Sequence, residues 1–251
     1  MKSTPIRDST QHDNSELVPA GTPFWKRTLD VVLILSALPA LLPIFLFIAC
    51  MIKLVSSGPI FYRQERIGLG GRKFRLLKFR SMKPGADTGV HQKHLKQLIQ
   101  SNVPMTKMDK DGDPRLIPGG AWLRATGLDE LPQLLNVLRG EMSLVGPRPC
   151  TPYEYEDYSP WHKQRCNTLP GLTGLWQVSG KNKTTFTEMI NLDIYYATHN
   201  TPWMDLKIIL KTLPALVLQV RETRSGTPRR GGAERDRRTA LERQIYHITN
   251  S

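Results

Sequence analysis

The stretch Val31-Val-Leu-Ile-Leu-Ser-Ala-Leu-Pro-Ala-Leu-Leu-Pro-Ile-Phe-Leu-Phe-Ile-Ala-Cys-Met-Ile52 contains no charged side chain and is bounded by Asp30 and Lys53. It is long enough to cross the hydrocarbon core of a bilayer, which needs about 20 apolar residues. It starts too far into the chain for a cleavable signal peptide and has no small-residue cleavage site after it. Pro39 and Pro43 each remove a backbone hydrogen bond and crowd the preceding turn, so a bend is expected at them. Lys26 and Arg27 precede the stretch, and Lys53, Arg63, Arg66 and Arg72 come after it. Both ends therefore carry the basic signature of the cytoplasmic side. A re-entrant hairpin that enters one leaflet and returns satisfies that symmetry. A kinked span fits the apolar pattern equally well.

Working outward, residues 53–83 hold nine Lys or Arg against one acid, Glu65. Ile60–Arg66 and Arg72–Arg80 read as two strands joined by the turn Ile67-Gly-Leu-Gly-Gly71, a hairpin leaving the membrane with its cations at headgroup level. Those cations suit anionic lipid or a phosphorylated substrate. The glycines lack the strand-turn-helix context of a dinucleotide site and are read as a turn. The whole chain of 251 residues carries a formal charge of +13, which implies anionic partners. Cys50, Cys150 and Cys166 have no metal-ligand spacing and an odd count, so free thiols in a reducing compartment are expected. His91 and His94 lie among Lys93, Lys96 and Gln97, a solvated helix face rather than a metal site.

The chemistry concentrates in Leu128-Asp-Glu-Leu-Pro132 and the helix after it. Leu131, Leu134, Leu135 and Leu138 form a helical apolar stripe, Pro132 suits a first turn, and Gly140 stops the helix. Asp129 is then expected at or beside the N-cap, where unpaired N–H groups favour an ionised carboxylate. Such a carboxylate can be a nucleophile, and a helix start can also receive phosphate. An isolated Asp-Glu pair there would ordinarily be only a cap. Prolines on both sides of Arg148 present its guanidinium stiffly, as a phosphate clamp requires. Leu169–Asn182 reads as a Gly-rich loop around Trp176, a candidate specificity element, and Phe186–His199 as a helix. Trp203–Arg221 has the spacing of an amphipathic helix suited either to the domain core or to a bilayer interface, and the interface is favoured beside a membrane anchor. The tail beyond it is basic and of low complexity; it carries no aromatic from Arg221 to Arg243, which weighs against nucleic-acid binding.

Lys26-Arg27 before the proline-interrupted stretch, Ser57-Gly-Pro-Ile-Phe-Tyr-Arg-Gln-Glu-Arg66, Lys78-Phe-Arg-Ser-Met82, Asp113-Pro-Arg115, Leu128-Asp-Glu-Leu-Pro132, Val145-Gly-Pro-Arg-Pro149 and Pro170-Gly-Leu-Thr-Gly174 occur in that order. Over residues 24–215 the chain resembles the bacterial sugar transferases, in their small monotopic phosphoglycosyl transferase form. The resemblance implies transfer of a sugar-1-phosphate from a UDP-sugar to a polyprenyl phosphate such as undecaprenyl phosphate. UMP is released, and an aspartyl-phosphosugar forms on Asp129. This would be an initiating step of bacterial surface glycan synthesis: exopolysaccharide, capsule, O-antigen (lipopolysaccharide) or a glycoprotein glycan.

By the same resemblance Asp129 and Glu130 are the catalytic pair, Asp129 binds Mg2+, and Lys78, Arg80, Arg124 and Arg148 contact phosphate. Pro39 and Pro43 mark the membrane bend, although both follow leucine where the family usually has Ser-Pro. Gly127 stands where the family commonly has Ser.

The expected fold is α+β. A flexible arm (1–23) precedes a re-entrant membrane helix-hairpin (24–56). A mainly helical cytosolic catalytic domain (57–222) with a short β-hairpin and interfacial amphipathic helices comes next, then a basic tail (223–251). The expected place is the cytoplasmic face of the inner membrane, with anionic headgroups as partners and the oligomeric state open, a homodimer included. The competing readings are a non-catalytic membrane-tethered basic adaptor and the same transfer by direct displacement.

Overall fold

The computed structural model of the chain describes residues 21–83, 115–179 and 184–225. Most of the N-terminal arm, the expected helix near His91, the first two residues of Asp113-Pro-Arg115 and nearly all of the basic tail lie outside the described residues. The apolar stretch forms helix α1 (Phe24–Val55), which is continuous through Pro39 and Pro43. Each proline removes only one backbone bond, and the surrounding turns keep the helix intact.

Residues 35–40 are exposed on every side of α1, whereas both ends return to the protein. At the N-terminal end the buried Lys26 ammonium donates to Asp205 (2.6 Å) and to the Tyr196 hydroxyl (2.7 Å). Asp30 accepts from Ser143 Oγ and the Leu144 N–H. Arg27 donates to the carbonyls of Val137 and Leu138. At the other end Ile48 and Ile52 are wholly buried among Phe79, Ile117 and Leu123.

The expected hairpin is present. Strands β1 (Phe61–Ile67) and β2 (Lys73–Phe79) pair antiparallel from Phe61↔Phe79 to Ile67↔Lys73. Gly70 and Gly71 adopt left-handed φ of 62° and 76° in the turn, a conformation that glycine alone enters without cost. Phe45, Phe61 and Phe79 form an aromatic cluster that joins one end of the hairpin to α1, with Phe45 and Phe79 centroids 4.7 Å apart. The other end bonds the Ile67 N–H to the Cys150 carbonyl (2.9 Å). Seven residues at about 3.3 Å each separate these ends. The hairpin cations are therefore spread over its length. Phe61 and Phe79 take the α1 end, and Lys73 and Arg75 lie towards the other.

Beyond residue 115 come α2 (Gly120–Thr126), α3 (Gln133–Arg139), β3 (Ser143–Val145), α4 (Pro152–Glu156), α5 (Pro160–Lys163), β4 (Gly171–Thr173), α6 (Leu175–Val178), α7 (Phe186–His199) and α8 (Pro202–Ser225). Strands β3 and β4 pair in parallel. The backbones approach so closely beside them that a Cβ on Gly171 would lie 2.1 Å from the Gly146 nitrogen. Helix α7 has the expected bounds, opened by a capping box between Thr185 and Glu188. The largest apolar cluster gathers α6 and α7 with Val145, Cys150, Cys166, Met204 and Ile208. Trp176 belongs to this core, its indole N–H donating to Thr184 Oγ1. Helix α8 buries Met204, Asp205 and Ile208 and turns Trp203 and Leu210 outward. Among the described residues the fold is thus mixed helix with two small sheets and one long apolar N-terminal helix.

Candidate active site

Gly127, at φ 71°, ends α2 and opens a 3-10 turn over Leu128–Glu130. Glu130 N–H bonds back to the Gly127 carbonyl and Leu131 N–H to the Leu128 carbonyl. Pro132 has no N–H with which to continue an α-helical ladder from Leu128, so the chain closes in three-residue steps before α3 begins. The expected placement of Asp129 at the cap of a continuous helix is corrected accordingly: Pro132 occupies the cap position of α3, and no side chain caps it. Gly140 does end α3, at φ 79°.

Asp129 is only 9% exposed. Burial pushes its carboxyl up to about 6, the nearby charge of Lys78 works against that rise, Glu130 adds to it, and Arg124 opposes it. The sequence-level argument that a helix end holds Asp129 ionised is therefore replaced: desolvation dominates and two cations offset it. Glu130, more exposed, accepts from Lys78 Nζ at 2.8 Å. Lys78 lies on β2 and Arg124 in the last turn of α2, so two separate elements bring cations to the turn that carries the acidic pair.

The other expected cations sit elsewhere. Arg80 is buried and donates to the Ser56 carbonyl (2.9 Å) and the Ser57 carbonyl (2.5 Å), immediately after α1. Its Nε is buried with no partner. Arg148 lies among a second set of charges. Its own carbonyl accepts from Arg165 (3.1 Å), and the adjoining Pro149 carbonyl accepts from Arg66 (2.9 Å). Arg165 pairs with Asp193 at 2.5 Å. Burial opposes ionisation of Glu154, but Arg148, Arg66 and donors on Thr151 outweigh it and hold the carboxyl below its usual range. Small clefts against Pro147-Arg148-Pro149 are lined by Glu154, Arg165 and Cys150, with Asp129 outside them. Asp129, Glu130, Lys78 and Arg124 thus form one constellation, Arg148 belongs to another, and Arg80 holds the helix end.

Sequence reading missed Asn136, which is fully buried on α3 and bonded to the backbone of β2. The available signal was an amide inside a leucine-rich helix. It also missed Arg66, Arg165 and Asp193, whose partners are distant in the chain.

Among the described residues there is no group of three or more His, Cys, Asp or Glu able to hold a metal ion. The chain's own donors at this site are the two carboxylates, a set that suits Mg2+. That ion takes one or two carboxylates and completes its octahedron with water and substrate phosphate.

The family described as bacterial sugar transferase matches residues 21–219. Exopolysaccharide production protein ExoY of Sinorhizobium fredii is 40% identical over 198 residues, 77% of this chain and 85% of the relative. The UDP-glucose:undecaprenyl-phosphate glucose-1-phosphate transferase of Caulobacter vibrioides is 44% identical over 202 residues, 76% of this chain and 69% of the relative. Galactosyl transferase CpsE of Streptococcus agalactiae is 44% identical over 163 residues, 64% of this chain but only 35% of the relative.

Proposed function

This chain belongs to the bacterial sugar transferase family, and we propose that it is a phosphotransferase passing a sugar-1-phosphate from a UDP-sugar to undecaprenyl phosphate. The observation that carries the reading is Asp129: a buried carboxylate with Glu130, Lys78 and Arg124 around it. The names of relatives support the substrates, since they include a UDP-galactose-lipid carrier transferase and an undecaprenyl-phosphate galactose phosphotransferase. Relatives named for exopolysaccharide production support initiation of a surface glycan as the role.

In the proposed reaction an Asp129 carboxylate oxygen attacks the phosphorus that bears the sugar. The bond to the bridging oxygen breaks, and UMP leaves with that electron pair. An oxygen of undecaprenyl phosphate then attacks the same phosphorus and returns the electron pair to Asp129, leaving an undecaprenyl diphosphate-linked sugar. With a carboxyl titrating near 6, Asp129 is about ten to one ionised at pH 7. It is also poorly hydrated, which favours attack. Lys78 and Arg124 offset the charge that collects there. Asp129 and Glu130 would hold Mg2+, which would supply charge neutralisation on the diphosphate. Arg148 is proposed as a further phosphate contact, reaching from the adjoining charge cluster. Arg80 is proposed to act indirectly, through the end of α1.

The same reading treats α1 as re-entrant, with the domain on the cytoplasmic face. Ile34 shares a cluster with Leu76, and Ile48 one with Phe79. Both ends of α1 thus pack into the same domain, and cations at both ends favour one side.

The test is UMP release by the full chain in lipid nanodiscs, across a panel of UDP-sugars with Mg2+ and undecaprenyl phosphate. Asp129→Asn should abolish release. A radiolabelled sugar-phosphate should remain on wild-type protein before lipid is added. Turnover without such an adduct would instead establish direct displacement, and full release by the Asn variant would refute the site.

A further inference from the structure

The constellation around Asp129 depends on how α3 sits against β2, because the turn bearing the acids leads into α3 while Lys78 projects from β2. Helix and strand could slide past one another if only leucine side chains joined them. One polar side chain prevents this. Asn136 is 0% exposed and makes three hydrogen bonds. Its Oδ1 accepts from the Leu77 N–H (3.0 Å), and its Nδ2 donates to the Arg75 carbonyl (2.8 Å) and to Glu141 Oε2 (2.6 Å).

The two strand contacts have a particular geometry. Arg80 N–H bonds to the Ile60 carbonyl, so with the register Tyr62↔Lys78 and Gln64↔Leu76 the even-numbered residues of β2 exchange bonds with β1. Arg75 and Leu77 therefore aim their backbone groups at the opposite, outer edge of the strand. A third strand would normally cover such an edge. Here a single carboxamide, which has the donor and acceptor of one peptide group, occupies that place at 75–77. It fixes α3 along the strand to one register. The next side chain, Lys78, then meets Glu130, six residues before Asn136. Helix α3 is held independently at its C-terminal end, where Arg27 of α1 donates to the carbonyls of Val137 and Leu138.

We propose that Asn136 is a positioning residue, whose carboxamide sets the placement of the Asp129-Glu130 turn against Lys78 and so tunes the transfer step without touching substrate. This rests on the phosphotransferase reading above. It predicts a pattern that loss of packing alone would not give.

Wild type, Asn136→Ala, Lys78→Met and the double variant would be compared as full chains in nanodiscs. The UDP-sugar would be whichever member of the panel gives UMP release with wild type. Asn136→Ala should lower kcat about tenfold or more while KM for the UDP-sugar stays within about twofold, since sub-ångström misplacement of reacting groups acts on the chemical step. The double variant should be no slower than Lys78→Met, because Asn136 acts through the placement that Lys78 uses. Multiplication of the two losses, or a rise in KM with kcat preserved, would overturn the proposal. If Asn136→Ala does not fold, Glu141→Ala, which removes one of the three partners, should give a smaller kcat loss that likewise disappears in the Lys78→Met background; persistence of the loss there would refute it. Failure of wild type to release UMP from any UDP-sugar would refute the phosphotransferase reading instead.

Discussion

Asp129→Asn should make the protein more stable at neutral pH while destroying its activity. The carboxyl is nearly buried and titrates near 6 against an ordinary value of 3.8. A folded value raised above the unfolded one means that the group stabilises the fold most below about pH 4. That contribution is lost as pH rises from 3.8 to 6. The difference of about two pKa units corresponds to about 3 kcal/mol of penalty at pH 7. An amide of the same size carries no charge to desolvate, so relief of about 1–3 kcal/mol is expected after allowing for imperfect amide hydrogen bonds. For a chain of this length that is a Tm increase of roughly 2–4 °C per kcal/mol. The assay is thermal unfolding in detergent micelles with EDTA, wild type against variant, at pH 7.5 and pH 4.5. The gap should be clear at the higher pH and shrink to about a third of that size at the lower. A variant no more stable than wild type at pH 7.5, or a gap independent of pH, would refute the idea that burial dominates at Asp129.

Three further outcomes are expected from the contacts around the site. Lys26→Met leaves Asp205 buried beside Tyr196 without its cation, and should cost about 3–5 kcal/mol; Asp205→Asn in the same chain should recover part of that loss, measured by the same melts. Arg80→Gln withdraws donors from the Ser56 and Ser57 carbonyls, and should destabilise by about 1–3 kcal/mol and increase proteolysis near residue 57. Single cysteines at Thr28 and Ser56, in a background lacking Cys50, Cys150 and Cys166, should both react with a membrane-impermeant maleimide only from the cytoplasmic side; labelling of one from each side would establish a spanning helix.

What could be read from the sequence depended on how local the cause was. The β1–β2 hairpin announced itself through two basic-apolar runs and a glycine turn, and α7 through the helical pattern of Phe186–His199. Strands β3 and β4 are three residues each, too short to show a period, and they pair across about 25 intervening residues. The acidic pair was legible as chemistry but not as geometry. Pro132 suits a first turn in sequence, whereas in the fold its missing N–H splits the segment into a 3-10 turn and a short α-helix. Arg80 and Arg148 look alike as phosphate-seeking cations, yet one is committed to carbonyls at the end of α1 and the other to the surroundings of Glu154. Asn136 showed only as an amide inside a leucine-rich helix, because its partners on β2 are backbone groups about sixty residues earlier in the chain.

Both ends of α1 are tied by guanidinium groups to the parts that carry the acids and the lysine: Arg27 to the end of α3, and Arg80, the residue after β2, to Ser56 and Ser57. A free transmembrane helix answers a thinner or thicker bilayer by tilting. On the proposed re-entrant placement, a helix tied to the same domain at both ends has less of that freedom, so the surrounding lipids deform instead or strain passes into α3 and β2. Acyl-chain length then becomes a variable of catalysis rather than of solubility, and turnover in bilayers of graded thickness should show an optimum even where the protein is equally folded in all of them.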